Sequence, residues 1–141
     1  MAGLGNSAKK ALNRIGDIIC PKNGDFPSYS EYGAIEHVDD MLETAPESDI
    51  NDLNMLLAIL SFMPNAILKW LVKSVSKSHW KNGGVTTLFR QLDFGLKGII
   101  FGTYYSGKKT AVYNGKIPTE VIGFSINRIE LEHELQPELQ E

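Results

Sequence analysis

Three histidines, one cysteine and a scatter of acids are the residues of this sequence that could do chemistry, and their spacing decides what that chemistry could be. His37 stands in Glu36-His37-Val38-Asp39-Asp40, His79 precedes Trp80, and His133 lies between Glu132 and Glu134. A helical metal site needs ligands about one turn apart on one face, as in His-Glu-x-x-His. None of the three histidines has that spacing. His37 with Asp40 is a weak carboxylate-plus-imidazole pair, and a histidine among acids on a helix reads as solvated surface. Cys20 stands alone, which rules out an internal disulfide framework and a cysteine-rich zinc site and leaves an intermolecular disulfide open. With Pro21 behind it, Cys20 ends a helix and lacks the N-terminal dipole that would lower a thiol pKa. Gly3 to Gly5 and Gly95 to Gly102 follow no strand and precede no phosphate-binding helix, so neither is a nucleotide fingerprint. A Gly-x-Ser-x-Gly elbow is also missing. The sequence therefore predicts no catalytic residue, no bound cofactor and no metal.

The elements that would position a site are helical. Leu12, Ile15 and Ile19 recur at helical spacing up to Pro21, and Asn23-Gly24 with Pro27 makes a loop. Ser28 or Ser30 can cap a second helix that carries Ile35, Val38 and Leu42 inward. Beyond Pro46, Ile50 to Met63 is apolar on nearly every face, which predicts the central helix. After Pro64, Ala66 to Ser78 sets Ile67, Trp70, Leu71 and Val75 against a stripe of Lys69, Lys73 and Lys77. Asn82-Gly83-Gly84 breaks the pattern. Val85 to Tyr105 then carries Leu88, Leu92, Leu96 and Ile99 at helical spacing, and it also contains Gly95, Gly98 and Gly102, each costing about 0.8–1 kcal/mol relative to alanine. That cost implies a stripe on which another backbone lies closely, from this chain or a partner. Past Ser106-Gly107 the period is lost, and an irregular apolar segment is expected to fold back over the helices. Phe101, Tyr104, Tyr105, Tyr113 and Phe124 gather there, as a core-sealing cap or as interface anchors.

The expected fold is mainly α: a single-domain bundle of about five helices over residues 1–128 with an irregular C-terminal segment, followed by an acidic tail over 129–141. At 141 residues the chain suits one core, and its 43% apolar and 22% charged residues suit a globular protein. No apolar run approaches a membrane span. The net charge of −3 does not suggest a nucleic-acid binder, but it hides a segregation. Eight acids and no Lys or Arg fall between Glu31 and Asp52, whereas nine basic residues and only Asp93 fall between Lys69 and Lys116. The two segments are expected to lie side by side or to face a charged partner. Met1 to Lys10 is small and polar, with no leader pattern.

Two regions resemble the gluconate 2-dehydrogenase subunit 3 family, the small subunits of flavin-dependent dehydrogenases of the glucose-methanol-choline type. The first runs from Leu12 to Leu42 through Ile18-Ile19-Cys20-Pro21, Ser28-Tyr29-Ser30-Glu31-Tyr32-Gly33 and Ile35 to Asp39. The second comprises Leu88-Phe89-Arg90, Tyr104-Tyr105-Ser106 and Ile122-Gly123-Phe124. The resemblance implies a noncatalytic accessory subunit that binds and stabilises a large flavoprotein, and helps it mature or reach the periplasm. FAD and substrate would stay in the large chain, and a cytochrome c subunit is a further expected partner; neither nucleic acid nor direct membrane insertion is expected. The implied interface comprises Arg90, Gly95, Gly98, Gly102, Tyr104, Tyr105, Ile122, Gly123 and Phe124. Many members begin with a twin-arginine signal that is not visible here. The expected location is therefore the cytoplasm, or the periplasm if a leader is missing or export occurs with the partner. The reading from another class is a stand-alone helical enzyme or ligand-binding protein using a pocket between the aromatic cluster and His79 or His37.

Overall fold

Ala8, Ala11, Leu12, Ile15 and Gly16 recur one turn apart, and in the computed structural model they form the buried face of α1 (Asn6–Ile19). The structure describes residues 3–77 and 84–124. Small side chains on this face let neighbours approach closely: a Cβ on Gly16 would lie 2.3 Å from Cδ1 of Tyr29. Helix α1 accordingly touches α2 (Tyr29–Tyr32), α4 (Glu47–Ser61), α5 (Asn65–Lys77) and α6 (Gly84–Tyr104), and α4 most extensively. The fold is mainly helical, with no β-strand among the described residues.

The central position belongs to α1 and not, as expected, to the helix apolar on every face. Helix α4 buries Ile50, Leu57 and Leu60 but leaves Met55 and Ile59, and Phe62 just past its end, in solvent. An all-round apolar pattern reports surface that seeks cover, whereas a central place needs neighbours on several sides. The alanines and Gly16 of α1 admit those neighbours. Arg14 fixes the corner that Pro64 makes between α4 and α5. Its guanidinium donates to the Ser61 carbonyl at 2.9 Å, the Met63 carbonyl at 2.5 Å and Asn65 Oδ1 at 2.7 Å. A cation thus satisfies carbonyls at the negative end of α4, where the helix dipole favours it.

The second predicted helix is broken into three. Helix α2 begins with a capping box, in which Ser28 Oγ accepts from the Glu31 amide at 3.2 Å and Glu31 accepts from the Ser28 amide at 3.4 Å. Gly33 then takes a left-handed conformation, φ 78°, and a Cβ there would meet Val112 at 2.4 Å. A 3-10 turn over Ala34–His37 follows, and α3 (Val38–Leu42) completes the segment. Tyr32, just before the break, gives its carbonyl to the Thr110 hydroxyl and donates its own hydroxyl to the Lys108 carbonyl. The returning chain thus takes up the Tyr32 carbonyl, which a continuous helix would have used itself.

That returning chain matches the irregular segment expected past Gly107, except for one short helix, α7 (Pro118–Val121). Pro118 occupies its first position, and the Glu120 carboxylate accepts from the Ile117 amide at 3.1 Å. The predicted Asn82-Gly83 break and the acidic tail at 129–141, with His79 and His133, lie outside the described residues.

Asp39 fastens the chain start to α3, accepting from the Leu4 amide at 3.0 Å and from the Lys9 ammonium at 2.5 Å. Partial burial works against its charge, but these two donors outweigh it and hold the carboxyl below its ordinary value. A folded pKa below the unfolded one stabilises the fold above about pH 4, and that contribution fades as the pH falls through the folded value. The pair is part-exposed, so Asp39→Asn is expected to cost only about 0.5–1 kcal/mol at pH 7. Urea unfolding at pH 7 and at pH 2 checks this: the gap should narrow as the pH falls, and an unchanged gap would refute the electrostatic account.

Candidate functional site

Helix α6 is 21 residues long, about 32 Å, and its two faces differ. Inward it turns Ile100 and Thr103, both buried, with Leu92, Leu96 and Ile99 half-buried beside them. Outward, Phe94, Gly98, Phe101 and Tyr105 follow at i, i+4, i+7 and i+11, within about 60° of arc. Phe94 is 81% exposed, Phe101 42% and Tyr105 40%. The rings of Phe101 and Tyr105 stack, with centroids 6.3 Å apart and planes at 28°. Arg90 continues the face one turn earlier and is exposed. Together the three rings leave roughly 300 Å² of mostly apolar surface in water, about the size of the largest exposed patch on a typical monomer.

The structure brings Arg90, Gly98 and Tyr105 onto this face and disperses the other expected interface residues. A Cβ on Gly95 or Gly98 would find nothing within 4 Å, so no described backbone lies on them. Of the two alternatives for the glycine stripe, an element of this chain or one of a partner, no described part of this chain covers it at these two positions. At Gly102 a Cβ would come within 2.7 Å of Met41 Cε, a side chain rather than a backbone. Gly123 turns the chain after α7 at φ 73°, with Ile122 and Phe124 exposed on either side of it.

Tyr104 requires a second correction, because it lies in the core and is only 2% exposed. One residue of helix turns it about 100° from Tyr105. Its hydroxyl donates to the Pro27 carbonyl at 2.5 Å, and its ring meets Tyr32 edge-on at 5.7 Å. Tyr29 stacks on it at 6.4 Å and shares its hydroxyl with Thr103 Oγ1 at 2.8 Å. Thr103 can donate to the Ile99 carbonyl at 2.8 Å, which leaves its oxygen to accept from Tyr29. Burial pushes the Tyr29 phenol up to about 12, with the Thr103 bond opposing, and raises that of Tyr104 as well. The expected aromatic cluster is thus divided: Tyr104 joins Tyr29 and Tyr32 in the core, Tyr113 is half-buried edge-on to Tyr32, and Phe101, Tyr105 and Phe124 are exposed. Phe94 was missed by the sequence reading, although its spacing to Phe101 and Tyr105, opposite Leu92 and Leu96, is a signal that could have found it.

The groups with chemical potential have structural duties. Cys20 is buried at the end of α1, and desolvation, helped by Asp17, raises its thiol to about 11. Relative to an unperturbed thiol that is about a hundredfold less thiolate at neutral pH. Burial also keeps it from the surface that an intermolecular disulfide would need. His37 Nε2 lies 3.3 Å from the Lys109 carbonyl, and Asp40 pairs with Lys108 at 3.5 Å. No group of three His, Cys, Asp or Glu side chains converges among the described residues.

Inside the bundle, Ile15, Leu60, Leu68 and Leu96 line an apolar cavity of about 90 Å³, well below the ~300 Å³ of a ligand pocket. The acidic and basic segments meet in one described ion pair, Lys108 with Asp40, while Asp39 and Glu31 pair with Lys9 and Lys22 from earlier in the chain. Lys69 and Lys73 remain exposed beside Trp70, itself 67% exposed. Among the described residues no helix is long and apolar enough to cross a membrane. No family model, curated protein or solved structure matches this chain.

Proposed function

We propose that this chain is a noncatalytic accessory subunit that binds and stabilises a large flavin-dependent sugar or alcohol dehydrogenase, as its resemblance to the gluconate 2-dehydrogenase subunit 3 family implies. The observation that supports the reading is the outer face of α6. There Phe94, Phe101 and Tyr105 stand in water around the bare backbone of Gly98. Aromatic anchors beside small residues suit a protein interface, since the rings bring apolar area and few rotatable bonds while the glycine admits a close neighbour. On this reading FAD and substrate belong to the large chain, and this chain contributes surface, order and assistance in maturation.

Co-expression with a large flavin-dependent dehydrogenase of the glucose-methanol-choline type from the same genome tests the proposal. One complex eluting together at micromolar concentration is expected. Separate elution at that concentration would overturn it.

A further inference from the structure

Helices α4 and α6 pack on other elements, α4 chiefly on α1 and α6 on α3 and α5, and they do not close on each other. Between them lies a cleft of about 740 Å³, with Ile50, Leu53 and Leu56 on one side and Leu92, Leu96 and Ile99 on the other. Gly95 forms part of the α6 wall, and a Cβ there would meet nothing within 4 Å. Asp49 and Asp52 stand on the α4 wall, both exposed and neither in an ion pair with a described residue. Glu47 adds a third acid in the first turn of α4. Among the described residues no lysine or arginine lines the cleft.

Its length and charge say what fits. Along α6 the lining runs from Gln91 to Ile99, about 12 Å of helix. Three side chains at i, i+4 and i+7 on a second helix span about 10–11 Å. We propose that this cleft is a docking groove for a short amphipathic helix of a partner protein, with leucine-sized side chains at that spacing and lysine or arginine on its flanks. The apolar floor supplies the affinity, and the acids select the sign of the flanks, because an acidic helix would set like charges against Asp49 and Asp52. The groove lies beside the aromatic face of α6 and not on it, so the proposal stands independently of the accessory-subunit reading.

The test uses the full chain and two fluorescein-labelled helical peptides of about eighteen residues. Both carry leucines at i, i+4 and i+7, and they differ only in having lysine or glutamate at their remaining charged positions. Anisotropy titrations at about 0.15 M salt, where distant charges are screened, should show the lysine peptide binding at least about tenfold tighter than its glutamate twin. Asp49→Lys with Asp52→Lys should erase that preference, and Gly95→Leu should weaken binding by a similar factor at an undiminished melting temperature. Should Gly95→Leu disturb the fold, the charge-reversal pair, on exposed side chains, decides alone.

Equal binding of the twins overturns the proposal, as does unchanged binding to folded Gly95→Leu. Self-association that Gly95→Leu abolishes would also overturn it, assigning the groove to a second copy. Failure of the flavoprotein to co-elute leaves these results standing, and failure of the peptides leaves the flavoprotein complex standing.

Discussion

Tyr104→Ala is expected to destabilise the fold by about 3–5 kcal/mol, the largest loss of any single change considered for this chain. Two terms combine. Removing the ring opens a cavity among Tyr29, Tyr32 and Tyr105, whose centroids lie 4.9–6.4 Å from that of Tyr104. It also strips the Pro27 carbonyl of the hydroxyl 2.5 Å away, and a buried acceptor left alone costs about 1–3 kcal/mol. Tyr104→Phe separates the terms by keeping the ring, and should cost only about 1–2 kcal/mol. At roughly 4 °C per kcal/mol for a chain of this size, the alanine variant should melt about 12–20 °C lower and the phenylalanine variant about 4–8 °C lower. Thermal unfolding followed by circular dichroism measures both. A loss under about 1 kcal/mol for Tyr104→Ala would mean that Tyr104 is not the residue joining the loop at Pro27 to α6.

The helices were legible wherever one face is apolar and a breaker stands at the end. Leu12, Ile15 and Ile19 with Pro21 gave α1, Pro64 separated α4 from α5, and Leu92, Leu96 and Ile99 gave the inner face of α6. Periodicity does not tell how close neighbours come, so the central role of α1 was hidden in Ala8, Ala11 and Gly16, which add little hydrophobicity and much proximity. The break at Gly33 was equally hidden, since it depends on Thr110 and Val112 some eighty residues later. Adjacent tyrosines posed a different problem. Tyr104 and Tyr105 are alike in type, and only the phase of the helix sends one to the core and the other to water. Of the residues expected on the interface, Gly98 and Tyr105 therefore share the exposed face of α6 with Phe94, which the periodicity had not singled out, while Tyr104 lies in the core.

Gly98→Leu is expected to act in opposite directions on fold and on assembly. Position 98 is in the interior of α6, where glycine costs about 0.8–1 kcal/mol relative to a good helix former, and no described atom lies within 4 Å of an added Cβ. The isolated chain should therefore gain up to about 0.8 kcal/mol and melt about 3 °C higher. A partner resting on the bare backbone between Phe94 and Phe101 would meet an isobutyl group instead, and the flavoprotein complex should weaken by about a hundredfold or more, about 2.7 kcal/mol. Phe94→Ala supplies the converse test. Its ring is 81% exposed, so removal should leave the melting temperature within about 2 °C, while a central aromatic anchor lost from an interface costs about 2 kcal/mol or more. Melting curves of the isolated variants and equilibrium binding to the large subunit give the four numbers needed. If both variants fold as described and bind like the unaltered chain, the outer face of α6 is not where the partner sits, and the apolar stripe on α4 or Trp70 on α5 becomes the surface to examine. If binding falls while stability holds or rises, the exposed aromatic face serves assembly rather than folding, which is the distinction on which the accessory-subunit reading rests.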